Sequence, residues 1–337
     1  MKILFIRFSS IGDIILTTSP LISIKTKFKD ASIHFLTLEE HSPLLEGLSL
    51  IERIHVVDKS AGYYQLKSVG KYLNKYDYDV IVDMHNSLRS RIIRKMIKSK
   101  PTYRLIKPRW NRFKLFEFHI NDFYSGFSQL NLYHSVIKKI ISNTDISSTH
   151  LFISGSEKEE AQNILNQIGL DDKPLVACIP GAAWDNKIWN LSYYLKLFSY
   201  LRSKGFEIIL LGGKKDIICD ELSNADEFLI NLSGQTQFRQ SLAIISKSKL
   251  VIGSDTGFVH AAEALDVPSI MLLGPTSTET GGGLNKPTSV NIEQEDVWCR
   301  PCSQNGSRPC YRSKKVCMDE INPKTVIAQA GTMLGVQ

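Results

Sequence analysis

Short β-rich apolar runs alternate with amphipathic stretches along most of this 337-residue chain, the pattern of βα units on a parallel sheet. Residues 2–8 read as a strand that ends in a turn over 9–12, with a helix beginning at Asp13 or Ile14. Residues 32–37, 54–57 and 80–83 read as further strands of the same half. Residues 144–150 are rich in Ser and Thr, show little apolar periodicity and read as an interdomain linker. The alternation then restarts with a helix over 155–168, capped by Ser156 and acidic in its first turn. Strands follow over 175–180, 207–211, 250–253 and 269–273, with helices over 191–204, 238–246 and 257–265. The expected fold class is α/β, with two Rossmann-like doubly wound domains facing a central cleft and a domain boundary near residue 150. In such sheets ligands bind beyond the carboxyl ends of the strands, where every motif below falls.

Composition adds little to this picture. At 43% apolar and 22% charged residues the chain is an ordinary globular protein, long enough for two cores. The net charge of +7 points to an anionic partner. The apolar start is broken by Arg7, followed by Asp13, and lacks a small-residue cleavage site, so it does not read as a signal peptide. No uncharged apolar stretch of ~18 residues occurs, so no membrane span is expected. The expected location is the cytoplasm, with membrane contact at most from the surface.

Three strand-end segments carry candidate chemistry. Ser254-Asp255-Thr256-Gly257-Phe258-Val259-His260 follows a strand and opens a helix. The free N–H groups and dipole of such a first turn suit a diphosphate. Gly257 permits close backbone approach, Thr256 offers a hydroxyl, and His260 lies one turn on. An ordinary N-cap with a structural histidine fits the same residues. Pro180-Gly181-Ala182-Ala183-Trp184-Asp185-Asn186-Lys187 also links a strand to a helix, and Lys187 is placed to neutralise a leaving diphosphate. A solvated lysine between packed tryptophans is the plainer alternative. In Ser9-Ser10-Ile11-Gly12-Asp13 the carboxylate stands where a general base takes a proton from an attacking hydroxyl. It equally suits a helix N-terminus. No G-x-G-x-x-G follows the first strand and no G-x-x-x-x-G-K-[ST] occurs, which disfavours dinucleotide dehydrogenases and P-loop enzymes.

These segments occur in order with Asp83-Met84-His85-Asn86-Ser87-Leu88-Arg89-Ser90, the Leu210-Leu211-Gly212-Gly213 turn, Val267-Pro268 and Leu273-Gly274-Pro275-Thr276. Over nearly the whole chain the set resembles glycosyltransferase family 9, the ADP-heptose:lipopolysaccharide heptosyltransferases. The resemblance implies a GT-B fold and an inverting, metal-independent transfer that needs no cofactor. It implies an acceptor domain over 1–150, a nucleotide-sugar domain over 151–321, and a terminal helix within 322–337 that packs back toward the first domain. The donor it implies is ADP-heptose and the acceptor the lipopolysaccharide core. By position Asp13 resembles the catalytic base and Lys187 the donor-phosphate lysine of the family. Asp255, Thr256, Gly257 and His260 resemble its diphosphate and sugar contacts, and Asp216 an acidic residue near the nucleoside. Ser10, Gly12, His85, Arg89 and Arg91 fall on the acceptor side. Ala182 and Ala183 depart from the hydroxyl-bearing residues of some members, and residues 278–287, with Gly281-Gly282-Gly283, are unlike an inner-core heptosyltransferase.

Between Asp83 and Glu117 no acidic residue occurs. Arg89, Arg91, Arg94, Lys95, Lys98, Lys100, Arg104, Lys107, Arg109, Arg112 and Lys114 all fall there, with Trp110, Phe113 and Phe116 interleaved. The run reads as a face toward a phosphorylated lipid acceptor and an anionic inner membrane; a solvated helix face is the alternative. Cys299-x2-Cys302-x7-Cys310-x6-Cys317 has the composition of a zinc site, but the spacing after the first pair is not that of a standard finger. Reduced, partly buried thiols are expected there, with no metal, and Cys178 and Cys219 read as small buried residues. A zinc-stapled nucleic-acid-binding protein is the rival class. It leaves Lys187 and the Asp-Thr-Gly turn without a purpose, so no nucleic-acid partner is expected. A GT-B transferase using another nucleotide sugar or a polysaccharide acceptor stays open.

Overall fold

The computed structural model describes residues 1–98, 101–142, 145–171 and 173–336. Lys100 of the basic run, Thr144 at the start of the expected linker and Gln337 at the end of the expected terminal helix lie outside them. The chain divides into two compact units, one of residues 1–108 and 129–152 and one of residues 109–128 and 153–337.

The first unit is built on β1 (Lys2–Ile6), α1 (Ile11–Lys27), β2 (Ser32–Leu38), β3 (Arg53–Val57), α2 (Tyr63–Leu73), β4 (Val80–Asp83), α3 (Leu88–Arg94) and β5 (Thr102–Arg104). Its sheet runs β3-β2-β1-β4-β5 and every pairing is parallel. Central β1 is buried on both faces from Ile3 to Ile6, which is why it reads as an unbroken apolar run rather than an alternating one. The register sets Ile6 opposite Asp83, so the turns that leave β1 and β4 emerge side by side. The next helix, α4 (Arg109–Phe118), belongs to the other unit, and α5 (Gln129–Ile137) returns to this one. There α5 packs on α1, with Ser19 Oγ 2.8 Å from His134 Nε2 in the buried contact. The stretch read as a linker is tied down: His150 N donates to Thr18 Oγ1 at 3.0 Å, and Ser23 and Ser147 hydroxyls lie 2.9 Å apart.

The second unit contains α6 (Gly155–Gln167), β6 (Leu175–Ile179), α7 (Leu191–Ser203), β7 (Glu207–Leu210), α8 (Ile217–Ala225), β8 (Ile230–Asn231), α9 (Phe238–Lys247), β9 (Leu250–Ser254), α10 (Gly257–Ala264), β10 (Ser269–Leu273), β11 (Ser289–Glu293), α11 (Val316–Asp319) and α12 (Pro323–Leu334). Its sheet, also parallel, runs β11-β10-β9-β6-β7-β8. The cap of α6 is Ser154 rather than Ser156. Glu157 N donates to its hydroxyl at 3.3 Å while Ser154 N donates to Glu157 Oε2 at 2.8 Å, a reciprocal box that needs the glutamate three residues on.

One segment falls outside its expected domain. Residues 109–128 were assigned to the first domain, but Arg308 pairs with Glu117, and the His119 and Trp298 rings lie 5.6 Å apart, which joins the segment to the second unit. Within the second unit, Val326 and Ala330 of the terminal helix α12 enter the core beside Tyr194 and Phe198 of α7, where its buried stripe finds apolar partners.

Three histidines of the first unit make it acid-sensitive. Burial holds His55 and His134 down at about 4, and burial followed by the nearby Arg7 charge holds His85 at about 3. An unfolded histidine titrates near ~6.5. Below that pH the unfolded chain therefore binds more protons, and stability falls as pH drops from about 6.5 toward 4. Acidification from pH 7.5 to 5 should cost about 1–2 kcal/mol per histidine, read as a falling Tm in thermal scans. An unchanged Tm over that range would contradict the assignment.

Candidate active site

Asp13 stands in the first turn of α1, where β1 delivers it. Its Oδ2 accepts from Ser10 N at 3.1 Å and from Ser10 Oγ at 3.0 Å, and pairs with Arg7 Nη2 at 2.6 Å. Its Oδ1 accepts from the Tyr133 hydroxyl at 2.6 Å. Burial pushes this carboxyl up, but Arg7, Tyr133 and Ser10 outweigh it and hold Asp13 at about 2. It is thus a fixed, fully ionised acceptor at neutral pH. Neither Arg7 nor Tyr133 was singled out from sequence as a site residue. Arg7 interrupts an otherwise apolar strand end, and a buried arginine needs a carboxylate. Tyr133 lies 120 positions from Asp13 and carries no such signal.

The other acceptor-side candidates gather around this carboxylate unevenly. Ser10 acts on Asp13 itself, and Gly12 is buried in the same turn. The His85 ring packs 4.9 Å from Phe8, and Arg7, Lys107, Asp13 and Arg89 are the charges that face it. Arg89 donates to Asp58 O at 2.6 Å and lies over the Phe8 ring at 5.8 Å. Arg91 is exposed on α3 without joining the group. The basic run is not a uniform anion face. Arg94 pairs with buried Asp83 at 2.7 Å and Lys114 with Asp122 at 2.6 Å. Acidic partners from outside the run neutralise part of it.

In the second unit Lys187 ends a short 3-10 turn after β6 and is buried. Its Nζ donates to Asp255 O at 3.0 Å and to Asp255 Oδ2 at 2.8 Å, and Oδ2 also accepts from Thr276 Oγ1 at 2.8 Å. His260 Nε2 lies 3.8 Å from Oδ1. Burial pushes the Asp255 carboxyl up, but the His260 contact and the Lys187 charge hold it far below the usual carboxylate range. A carboxylate with both oxygens so engaged orients Lys187; it is not itself suited to touch a phosphate. Thr256 is the N-cap of α10, and its hydroxyl and His260 Nδ1 are buried without a hydrogen-bond partner. The Thr256 hydroxyl, with the free N–H groups where α10 opens at Gly257, offers donors to an anionic ligand.

Asp216 has a structural task here. As N-cap of α8 it accepts from Gly213 N at 2.7 Å, and a Cβ on Gly181 would come within 2.3 Å of its side chain. The strand-end loops of β6 and β7 are thereby locked together.

The cysteine-bearing segment supports Lys187, which spacing alone did not reveal. Asn186 Nδ2 donates to Arg308 O at 2.7 Å, Lys315 Nζ to Asp185 O at 3.0 Å, and Arg300 to Gly274 O and Thr276 O, each at 2.9 Å. Gly306, at φ +81°, lies so close that a Cβ there would sit 2.8 Å from Lys187 Cε. The four thiols Cys299, Cys302, Cys310 and Cys317 are unbridged and line one cavity. Burial raises Cys302 and lifts Cys317 to about 12. Among the described residues no three His, Cys, Asp or Glu groups are arranged to hold a metal ion.

Comparison with known proteins places this arrangement. A lipooligosaccharide heptosyltransferase 2 of Haemophilus ducreyi is 26% identical over 86% of this chain and 88% of its own length. The solved structure of Escherichia coli ADP-heptose lipopolysaccharide heptosyltransferase II is similar with a TM-score of 0.77 at 20% identity, covering 99% of this chain and 98% of that one. A glycosyl transferase of family 9 from Veillonella parvula gives a TM-score of 0.80 at 21% identity, covering 99% and 97%. The likeness to these structures shows a GT-B fold of two parallel α/β units. The profile of glycosyltransferase family 9 (heptosyltransferase) matches residues 66–311. With its parallel sheets and strand-end motifs in the family's order, the chain belongs to glycosyltransferase family 9.

Proposed function

We propose that the protein transfers heptose from ADP-heptose to the lipopolysaccharide core by a single, inverting displacement that uses no metal. The observation that carries this reading is the buried Lys187–Asp255–Thr276 group beside the unpartnered Thr256 hydroxyl and His260 Nδ1 at the start of α10. The heptosyltransferase activities of the similar proteins from Haemophilus and Escherichia supply the sugar and acceptor.

Asp13 takes the proton from the acceptor hydroxyl as it attacks the anomeric carbon, displacing the Tyr133 hydroxyl from Oδ1. The anomeric C–O bond to the diphosphate breaks as the new C–O bond forms. Lys187, the Thr256 hydroxyl and the first N–H groups of α10 stabilise the departing ADP. Asp255 orients Lys187. Ser10 and Gly12 hold Asp13 for the acceptor, His85 and Arg89 line its side of the site with Arg91 further out on α3, and Asp216 stands near the nucleoside. The acceptor is borne on lipid, so the enzyme works from the cytoplasm against an anionic membrane face and needs no nucleic acid. Among the described residues no helix is long and apolar enough to cross a membrane.

Donor choice is tested by calorimetric titration with ADP-heptose, ADP and the UDP and GDP sugars. Binding of ADP-heptose and ADP that is weakened in Thr256→Ala is expected, because the hydroxyl lost is one the ligand would satisfy. Tighter binding of a UDP or GDP sugar would favour the transferase with a different donor.

Removing the Tyr133 hydroxyl tests the base. In Tyr133→Phe the carboxylate loses a hydrogen bond to its charged form, so its pKa rises and the acid limb of kcat/KM moves to higher pH. An unmoved limb would place the proton acceptor elsewhere.

A further inference from the structure

α4 is a helix turned outward. Leu115 is its one buried residue, while Trp110 and Phe118 are 64% and 60% exposed and Phe113 is open as well. Trp298 and Tyr311, from a segment nearly two hundred residues later, are 63% and 62% exposed in the same unit. The rings join. Trp110 stacks on Phe113 with centroids 5.4 Å apart, Phe113 meets Phe118 at 5.7 Å, His119 meets Trp298 at 5.6 Å, and Trp298 meets Tyr311 at 6.2 Å. Single exposed aromatics are common on soluble proteins, but a connected series marks an interaction surface.

Basic residues outnumber acidic ones beside these rings. From Val297 to Met318 no acidic residue occurs, against five basic ones, Arg300, Arg308, Arg312, Lys314 and Lys315. Lys114 Nζ stands 5.8 Å over the Trp110 ring and Arg312 stands 5.3 Å over the Trp298 ring. Of the acids nearby, Glu117 and Asp122 are spent on Arg308 and Lys114, while Glu295 and Asp296, just before Trp298, stay exposed. Arg109, Arg312 and Lys314 keep no carboxylate partner among the described residues.

We propose that this surface, α4 with the loop that carries Trp298 and Tyr311, docks the enzyme on an anionic lipid bilayer, its rings entering the headgroup boundary and its cations meeting lipid phosphates. Trp and Tyr prefer that boundary because each has an apolar body and a polar tip, and Lys and Arg stems lie along apolar surface while their heads reach anions. A single-stranded nucleic acid would need open ring faces for stacking, whereas here Phe113 with Phe118 and His119 with Trp298 meet edge to face, at 83° and 80°. The proposal rests on the heptosyl-transfer reading only for the lipid-borne acceptor that gives docking a purpose.

The test uses the full chain and vesicles without lipopolysaccharide, so it is independent of turnover. Sedimentation with equimolar phosphatidylglycerol and phosphatidylcholine is compared with phosphatidylcholine alone. Tryptophan emission is followed with brominated lipids, and Trp110→Phe and Trp298→Phe assign the signal. Partition to the anionic vesicles with a blue shift and bromine quenching is expected. Trp110→Ser with Phe113→Ser should weaken partition at least about tenfold while ADP binding and Tm stay unchanged. No partition overturns the proposal. So does adsorption without quenching, which would be electrostatic alone. Partition indifferent to the double variant, or a dimer or an RNA complex that the variant abolishes, overturns it too. Failure here with turnover retained on detergent-dispersed acceptor would leave the transferase reading standing.

Discussion

Asp13→Asn is expected to lower kcat by about 10²–10⁴-fold, the usual worth of a general base, with ADP binding unchanged. The amide keeps the shape and the Tyr133 contact but cannot take the acceptor's proton. It also leaves the Arg7 guanidinium buried opposite a neutral group. A fully buried pair broken in this way costs about 3–5 kcal/mol. The Asp13 side chain is 32% exposed, so solvent screens part of that and a cost of about 2 kcal/mol is expected. Stability and turnover therefore separate in the double variant Arg7→Met with Asp13→Asn, which should recover Tm and stay inactive. If Asp13→Asn alone turned over within about tenfold of the parent enzyme, the base would be another group.

Lys187→Ala should be the second most damaging change. Loss of a preorganised cation at a departing diphosphate costs about 10²–10³-fold in kcat. It also strands the Asp255 carboxylate, whose remaining protein donor on Oδ2 is the Thr276 hydroxyl. Lys187→Arg should not rescue activity. Gly306 lies against the lysine stem, and the longer planar guanidinium would have to leave the position from which Nζ donates to both Asp255 O and Oδ2. Lys187→Met with Asp255→Asn should fold nearly as well as the parent and still fail to turn over. Steady-state ADP release and thermal scans on the four proteins decide both points.

The strand-end positions of these two residues were legible in the sequence because strand-end motifs are local. A short β-branched run such as 80–82, closed by Asp83, reads as a strand with a sharp end, and the structure places β4 at Val80–Asp83. The turns after β1, β6 and β9 then had to carry Asp13, Lys187 and Asp255. What surrounds each residue was not legible. Tyr133 reaches Asp13 only because α5 packs on α1, and Thr276 reaches Asp255 only because β10 lies beside β9.

Charge was the most misleading signal. An acid-free run looked like one surface, yet Arg94 is consumed by Asp83 and Lys114 by Asp122, and the run is divided between two units. The aromatics of α4 were visible as interleaved rings, but their junction with Trp298 depends on a helix assigned by sequence to the other domain. The cysteine segment was read only for whether its thiols hold a metal or stay reduced, and its hydrogen bonds to the Lys187 and Thr276 loops, made largely through backbone carbonyls, leave no trace in residue spacing.

The most direct test of the account is ADP release from ADP-heptose with and without deep-rough lipopolysaccharide, with the anomeric configuration of the product read by NMR. The account predicts release that requires the acceptor, disappears in Asp13→Asn and yields the inverted linkage. Retained configuration, or acceptor-dependent release undiminished in Asp13→Asn, would contradict it.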